Sequence, residues 1–278
     1  MTNADGEVMT MVVAVVGGTG TLGRHVVDEL GLAGHDVRVL SRRPPGYGLL
    51  HGEHRPVDLA TGEGLDAALA GADAVVDAAN GMGRQAAAVL VAGTERLLAA
   101  ERRAGVGHHV AVSIAGIERV PYSYYEAKVG QERVVRDGGV PWSIVRATQF
   151  HELLDMGFGG AARAGVLPAF DAVLQPVAAG HVARVVAEVA HGEPLFAWEH
   201  VAGPEVRRLR DLARTWRAVT GRHAIVVPVP LRRRLAAPLA AGALVPEGAV
   251  TGGPGFAEWL GTRPVAAPHA APAPRAAT

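Results

Sequence analysis

Short apolar runs alternate with stretches of helical period along the first half of the chain. Val12-Val13-Ala14-Val15-Val16 reads as a strand, and Arg24 to Leu30 places its apolar residues at helical spacing, which predicts a helix to about Gly34. Asp36 to Ser41 predicts a second strand, Arg55 to Leu59 a short third one and Leu65 to Leu69 a brief helix. Ala74 to Ala79 follows as a fourth strand, Gln85 to Ala104 as a long helix and His109 to Ala115 as a fifth strand. A helix then runs from the Pro121 region to about Asp137, and a sixth strand starts at Trp142. Strands that are apolar along their length and alternate with helices predict an α/β fold, a Rossmann-type doubly wound parallel sheet, over residues 11–150.

The pattern loosens after residue 150. His151 to Gly165 reads as a flexible, partly apolar segment, and His181 to His191 as an amphipathic helix with Val182, Val185, Val186 and Val189 inward. Glu205 to Thr220 predicts another helix, Ala224 to Pro230 an edge strand because of its prolines, and Leu231 to Ala243 and Phe256 to Leu260 further helices. Residues 151–260 are expected to form a small C-terminal substrate-binding lobe together with remaining core elements. Residues 1–10 read as a flexible leader, and 261–278 as a Pro/Ala-rich disordered tail.

Composition narrows the function mainly by exclusion. The formal net charge is +0, which supplies no basic field for nucleic acid, and Arg207, Arg208, Arg210, Arg214 and Arg217 read as a solvated helix face. Cysteine is absent, and no paired His or carboxylate spacing indicates a metal. No apolar run reaches the roughly 20 residues of a membrane span. A cytoplasmic setting is the expectation. The oligomeric state is not legible. Among the 27 basic residues only Lys128 is lysine, so its position is expected to need a compact ammonium rather than a planar guanidinium.

The candidate chemistry begins where the first strand meets Gly17-Gly18-Thr19-Gly20-Thr21-Leu22-Gly23. Gly18 or Gly17 would turn the chain out of the strand, Gly20 would let a pyrophosphate approach the backbone, and Gly23 would allow close helix–sheet packing. The following helix start would offer unpaired N–H groups to the anion. At the end of the second strand Arg42 and Arg43 stand where an acidic residue would favour a free ribose 2′-OH, so NADPH is the expected cofactor. Asp58 and Leu59 are expected to border the adenine, while Ala78, Ala79 and Asn80 are expected to let the fourth strand's end approach the cofactor.

Ser113 ends the fifth strand and should face the same crevice as Gly20, since parallel sheets bind ligands beyond their strands' carboxyl ends. Tyr124 and Lys128, four residues apart, share a helix face; Tyr122 and Tyr125 are its rivals. The expected mechanism has Ser113 hold a substrate oxygen and Tyr124 donate a proton to it, with Lys128 lowering the phenol's pKa and holding the cofactor ribose. His151, Met156 and Phe158 are expected to contact substrate beside the nicotinamide.

The glycine turn, Ser41-Arg42-Arg43, Ser113 to Ile117, Tyr122 to Lys128 and Trp142 to Phe150 together resemble the atypical short-chain dehydrogenase/reductase superfamily, in particular its NmrA-like, NAD(P)-binding branch. The likeness runs from Met11 to Phe150 and more loosely through Leu260. It implies a nucleotide-binding turn, an active-site serine at Ser113, a Tyr-x-x-x-Lys element at Tyr124 and Lys128, and a nicotinamide-side loop at Ala147, Thr148, Gln149 and Phe150. Asp77-Ala78-Ala79-Asn80-Gly81 departs from the Asn-Ala-Gly loop of such dehydrogenases. The branch also contains dinucleotide-sensing regulators and quinone reductases. The expected function is an NADPH-dependent reductase of a hydrophobic or aromatic ketone or quinone, with a hydrophobic small molecule as its partner. The alternatives are a sensor without turnover and a sugar-nucleotide epimerase or dehydratase.

Overall fold

A computed structural model describes residues 10–46, 51–81 and 88–262. Its centre is an eight-stranded sheet in the order β12-β9-β6-β5-β4-β1-β2-β3, every neighbouring pair parallel. In chain order the strands are β1 (Val12–Val16), β2 (Asp36–Ser41), β3 (Glu53–Pro56), β4 (Ala74–Asp77), β5 (His108–Ile114), β6 (Trp142–Ala147), β9 (Trp198–Ala202) and β12 (Val250–Thr251). The helices are α1 (Gly23–Leu32), α2 (Leu65–Leu69), α3 (Thr94–Ala104), α4 (Ser123–Asp137), α5 (His151–Ala162), α6 (Ala179–His191), α7 (Leu209–Thr220), α8 (Arg233–Ala240) and α9 (Phe256–Thr262). Two small two-stranded sheets pair β7 (Val166–Ala169) with β11 (Ile225–Pro228) and β8 (Val173–Leu174) with β10 (Arg207–Arg208).

The strand period explains why the sheet is covered on both faces. Val13 and Val15 of β1 pack with Val26 and Val27 of α1 and Val182 of α6, whereas Ala14 and Val16 belong to a second cluster with Leu65, Leu69 and Leu97. Successive side chains of one strand thus feed two separate cores, so β1 must be apolar at every position. The strand order runs outward from β1 through β2 on one side and through β4 on the other. Such a reversal opens a crevice at the carboxyl ends of β1 and β4, where this fold class binds its ligand.

Several elements depart from the sequence expectation. The helix expected from Gln85 begins outside the described residues; within them Ala88–Gly93 is a π-helical stretch and α3 starts at Thr94. Gly93 lies close to Leu59, and Thr94 is fully buried with its hydroxyl on Asp77, so the chain there is shaped by inward polar contacts rather than by helical period. The third strand ends at Pro56, and Val57 and Leu59 turn into the core below it. The segment expected to be flexible after residue 150 is the regular helix α5, despite Gly157, Gly159 and Gly160. Phe158 and Leu154 anchor it in the lobe cluster that contains Trp216, and this packing outweighs the glycines' poor helix propensity. The leader's residues 1–9 and the tail from 263 lie outside the described residues.

Candidate active site

The glycine turn is built as its spacing requires. Gly17 has a φ of +72°, and a Cβ there would stand 2.8 Å from the Ala78 carbonyl oxygen, so the turn and the end of β4 touch backbone to backbone. A Cβ on Gly23 would meet the Gly17 carbonyl oxygen at 2.2 Å. Gly20 differs, because its Cβ would meet only the Gly17 oxygen, at 3.1 Å; beyond that contact the direction is open. Two of the glycines close the turn on itself, and the third leaves its outer side clear for a ligand. Leu22 is buried, Thr19 is half-buried and Thr21 is exposed; α1 has no acidic residue in its first turn, so nothing there opposes an anion.

Arg42 and Arg43 are exposed just beyond β2. The Ser41 hydroxyl accounts for the shape of this turn: it donates to the Arg43 carbonyl at 2.7 Å and lies 3.1 Å from His54 Nε2 on the neighbouring strand. Asp58 Oδ1 accepts from the Ala60 N–H at 2.8 Å, an Asx turn, and Leu59 is buried. Ala79 is buried and Asn80 exposed at the end of β4.

Tyr124 donates its hydroxyl proton to Asn80 Oδ1 at 2.9 Å, joining the start of α4 to the end of β4. Sequence spacing did not anticipate this contact, since the two residues are 44 apart. Lys128 is buried and donates to the Val112 carbonyl and to Gln131 Oε1, each at 2.9 Å. Burial pushes its pKa down to about 8, against the favourable charges of Asp77 and Glu132. The expectation that Lys128 lowers the phenol's pKa is corrected. Burial raises Tyr124 above its ordinary value, the Asn80 hydrogen bond opposes that only in part, and the ammonium's two contacts are directed elsewhere. Tyr122 is exposed, and Tyr125, pushed up to about 12 by burial, packs against the lobe core.

Ser113 is buried, and its Oγ has no protein partner among the described residues, as are both polar atoms of the Gln149 amide. Buried polar atoms of this kind are costly unless something fills them. Both stand at or just beyond the carboxyl ends of β5 and β6, on the side of the crevice. Thr148 is otherwise engaged, its hydroxyl donating to the Gln175 carbonyl, while Ala147 is buried and Phe150 half-buried at the start of α5. The three residues expected to touch substrate are placed apart from one another. His151 is 1% exposed, its ring lies tilted against both Phe256 and Trp259, and it donates through Nε2 to the Pro254 carbonyl at 3.1 Å. Phe158 is buried against Trp216, and Met156 is exposed on α5. Residues the sequence reading passed over are Asp77, Thr94 and Gln131, all buried in one hydrogen-bonded group that reaches Lys128 through Gln131; an aspartate inside the apolar run of β4 was the available signal.

A dinucleotide fits these features: a clear glycine turn, a basic turn beyond β2, and unpartnered donors and acceptors at the strand ends. The fold and site define an NAD(P)-binding Rossmann-fold enzyme of the oxidoreductase type. The family model described as NAD(P)H-binding matches residues 17–193, and the chain belongs to that family. It is 32% identical over 217 residues to a (4-alkanoyl-5-oxo-2,5-dihydrofuran-3-yl)methyl phosphate reductase of Streptomyces griseus, covering 76% of this chain and 74% of the relative. Among solved structures it is similar to a nucleoside-diphosphate-sugar epimerase from Staphylococcus aureus, at 18% identity and a TM-score of 0.75, over 90% of this chain and 100% of that one. It is also similar to MoeE5 in complex with UDP-glucuronic acid and NAD, at 17% identity and a TM-score of 0.73, over 90% and 97% of the two chains. These structural likenesses show a shared Rossmann-type fold. The expectation of a hydrophobic substrate is corrected: MoeE5 holds UDP-glucose or UDP-glucuronic acid, polar and phosphate-bearing molecules. No helix among the described residues is long and apolar enough to cross a membrane, and no group of three or more candidate metal ligands occurs among them.

Proposed function

We propose that the protein is an NAD(P)-dependent oxidoreductase of the epimerase/dehydratase-like kind, acting at an oxygen-bearing carbon of a phosphate-bearing substrate. The observation that carries this reading is the Tyr124–Asn80 contact at the crevice, with Ser113 Oγ free at the neighbouring strand end. A nicotinamide bound at the crevice would supply or accept the hydride. Ser113 holds the reacting oxygen, and Tyr124 gives it a proton. Because burial raises the phenol's pKa, Tyr124 is a protonated acid at neutral pH, and this favours net reduction, the reaction class named for the Streptomyces griseus relative. Lys128 and Gln149 hold the nucleotide's ribose and carboxamide, and exposed Arg42 and Arg43 favour NADPH over NADH. A second reading, transient oxidation of a sugar nucleotide with return of the hydride, is favoured by the breadth of the structural likeness to epimerases.

The test offers the purified protein with NADPH to a panel of phosphorylated lactones and ketones, and with NAD+ or NADP+ to a panel of nucleotide sugars. Loss of reduced-nicotinamide absorbance supports net reduction; a changed sugar with constant absorbance supports the second reading. Tyr124→Phe should lower turnover by roughly 10²–10⁴-fold with an unchanged NADPH Kd. Gly20→Glu, whose side chain occupies the open side of the turn, should abolish NADPH binding without unfolding the chain. Tight NADPH binding with no conversion of any member of the panel would move the protein to the sensing class.

A further inference from the structure

Asp77 of β4, Thr94 of α3 and Lys128 and Gln131 of α4 meet in one buried polar cluster. Gln131 sits at its middle. Its amide nitrogen donates to Asp77 Oδ2 at 3.0 Å and to Thr94 Oγ1 at 3.1 Å, and its Oε1 accepts from Lys128 Nζ at 2.9 Å. Thr94 donates to the same Asp77 oxygen at 3.1 Å, while Asp77 Oδ1 accepts from the Ala79 N–H at 3.0 Å. The next residue is Asn80, the acceptor of the Tyr124 hydroxyl.

A carboxylate and an ammonium buried without compensation would each be strongly unfavourable. Here they are separated by one side-chain amide, whose NH₂ faces the carboxylate and whose oxygen faces the ammonium. That orientation lets the Gln131 dipole stabilise both charges at once, and every polar atom in the chain of contacts has a partner. The remaining groups around the cluster are Glu132, bound bidentately by Arg146, the buried His109–Glu101 pair, and Tyr124. None of these lies between Asp77 and Lys128 in the hydrogen-bond chain.

We propose that Gln131 is a positioning residue that couples Asp77 to Lys128, so that the ammonium on α4 and the strand end presenting Asn80 to Tyr124 are set as one unit. The proposal rests on the reading of Lys128 as the cofactor's ribose donor. It goes beyond that reading by making the lysine's charge and reach depend on an aspartate it does not touch.

Lys128 is the only lysine in the sequence, so protein grown with lysine carrying ¹³C at Cε gives one side-chain signal. In the wild type this signal should titrate near pH 8, as burial dictates. In Asp77→Asn and in Gln131→Met it should titrate about one pH unit lower, because the compensating charge in the first, and the amide oxygen that accepts from the ammonium in the second, is removed, and the NADPH Kd should rise about tenfold. Glu126→Gln, at an exposed position on the same helix, should move neither quantity. Folded Asp77→Asn and Gln131→Met proteins that titrate and bind like the wild type would overturn the coupling. If Asp77→Asn does not fold, Gln131→Met decides alone. Lys128→Met separates the two readings: an unchanged NADPH Kd in that variant sinks the ribose role, while the Cε titrations of the other variants still decide the coupling.

Discussion

The dinucleotide half and the C-terminal lobe are stabilised in different ways. In the first, β1, β4 and β5 are buried on both faces, and the polar groups inside are held in the Asp77–Gln131–Lys128 and His109–Glu101 contacts. In the lobe, two-stranded sheets rest on one cluster around Leu167, Leu212, Trp216 and Leu260, while Ile225, Val227 and Val229 remain exposed and the arginines of α7 face solvent. The lesson is one of placement. The residues proposed to hold the nucleotide stand on strand ends that cannot move without opening two cores, whereas the lobe is carried by elements with a single shared anchor.

Breaking that anchor should give the largest effect. Trp216 is 2% exposed, packs on Phe158 and donates through Nε1 to Asp155. Trp216→Ala should cost about 3–5 kcal/mol of lobe stability, while NADPH affinity, measured by calorimetry below the lobe's transition, stays within about twofold. A parallel loss of NADPH binding would show that the two regions are one energetic unit.

The buried lysine gives the next largest effect, visible as pH dependence. Its folded pKa of about 8 lies below the ordinary value of 10.5. Between those values the unfolded chain still holds a proton that the folded chain has released, so stability rises with pH across that window and the contribution is flat below about 8. Denaturant titrations should show wild type gaining on the order of 3 kcal/mol relative to Lys128→Met between pH 8 and 10.5. Equal slopes for the two proteins would mean that the ammonium is not desolvated.

These two regions were also unequally legible in the sequence. The apolar runs of β1, β4 and β5, and the glycine turn, could be read because a strand covered on both faces admits little but apolar residues and because Gly17 and Gly23 meet backbone where a Cβ would stand. That Tyr124 and Lys128 share one helix was legible from spacing, but their electrostatics were not: the directions of the Lys128 contacts depend on Val112 and Gln131, and Asn80 reaches Tyr124 only through the fold. In the lobe the glycines of α5 pointed to an irregular segment, and only the presence of Trp216, 58 residues beyond Phe158 in the numbering, explains the helix. His151 looked available for the same reason: nothing in its neighbourhood announces Phe256 and Trp259.

Cofactor choice sharpens the comparison with a smaller change. Replacing Arg42 and Arg43 together by alanine should weaken NADPH by about tenfold, roughly 1.4 kcal/mol, and leave NADH affinity unchanged, because both side chains are exposed and support no core. Calorimetry at low salt reads both values. An equal loss for the two cofactors would assign the arginines to the pyrophosphate or to the general field instead of to the 2′-phosphate.

The smallest effect is expected on the basic surface of β10 and α7, where the lobe most resembles a binding surface and is least built like one. Arg208 pairs with Asp171 at 2.8 Å and Arg214 with Asp211 at 3.1 Å, and the side chains of both pairs are more than one third exposed. Each arginine therefore already faces a counter-charge, Asp211 being shared with Arg210 at 3.9 Å, and neither is held rigidly enough to gain much from it. A double-mutant cycle with Arg208→Ala and Asp171→Ala should give a coupling of about 0.2–1 kcal/mol, falling further as salt is raised. This contrasts with the buried cluster around Gln131, where the same test on Asp77 and Lys128 should give a larger coupling that salt hardly changes, since mobile ions do not reach it. A coupling of several kcal/mol at Arg208 and Asp171 would overturn the distinction, and would mean that the lobe carries a preorganised charge site of its own.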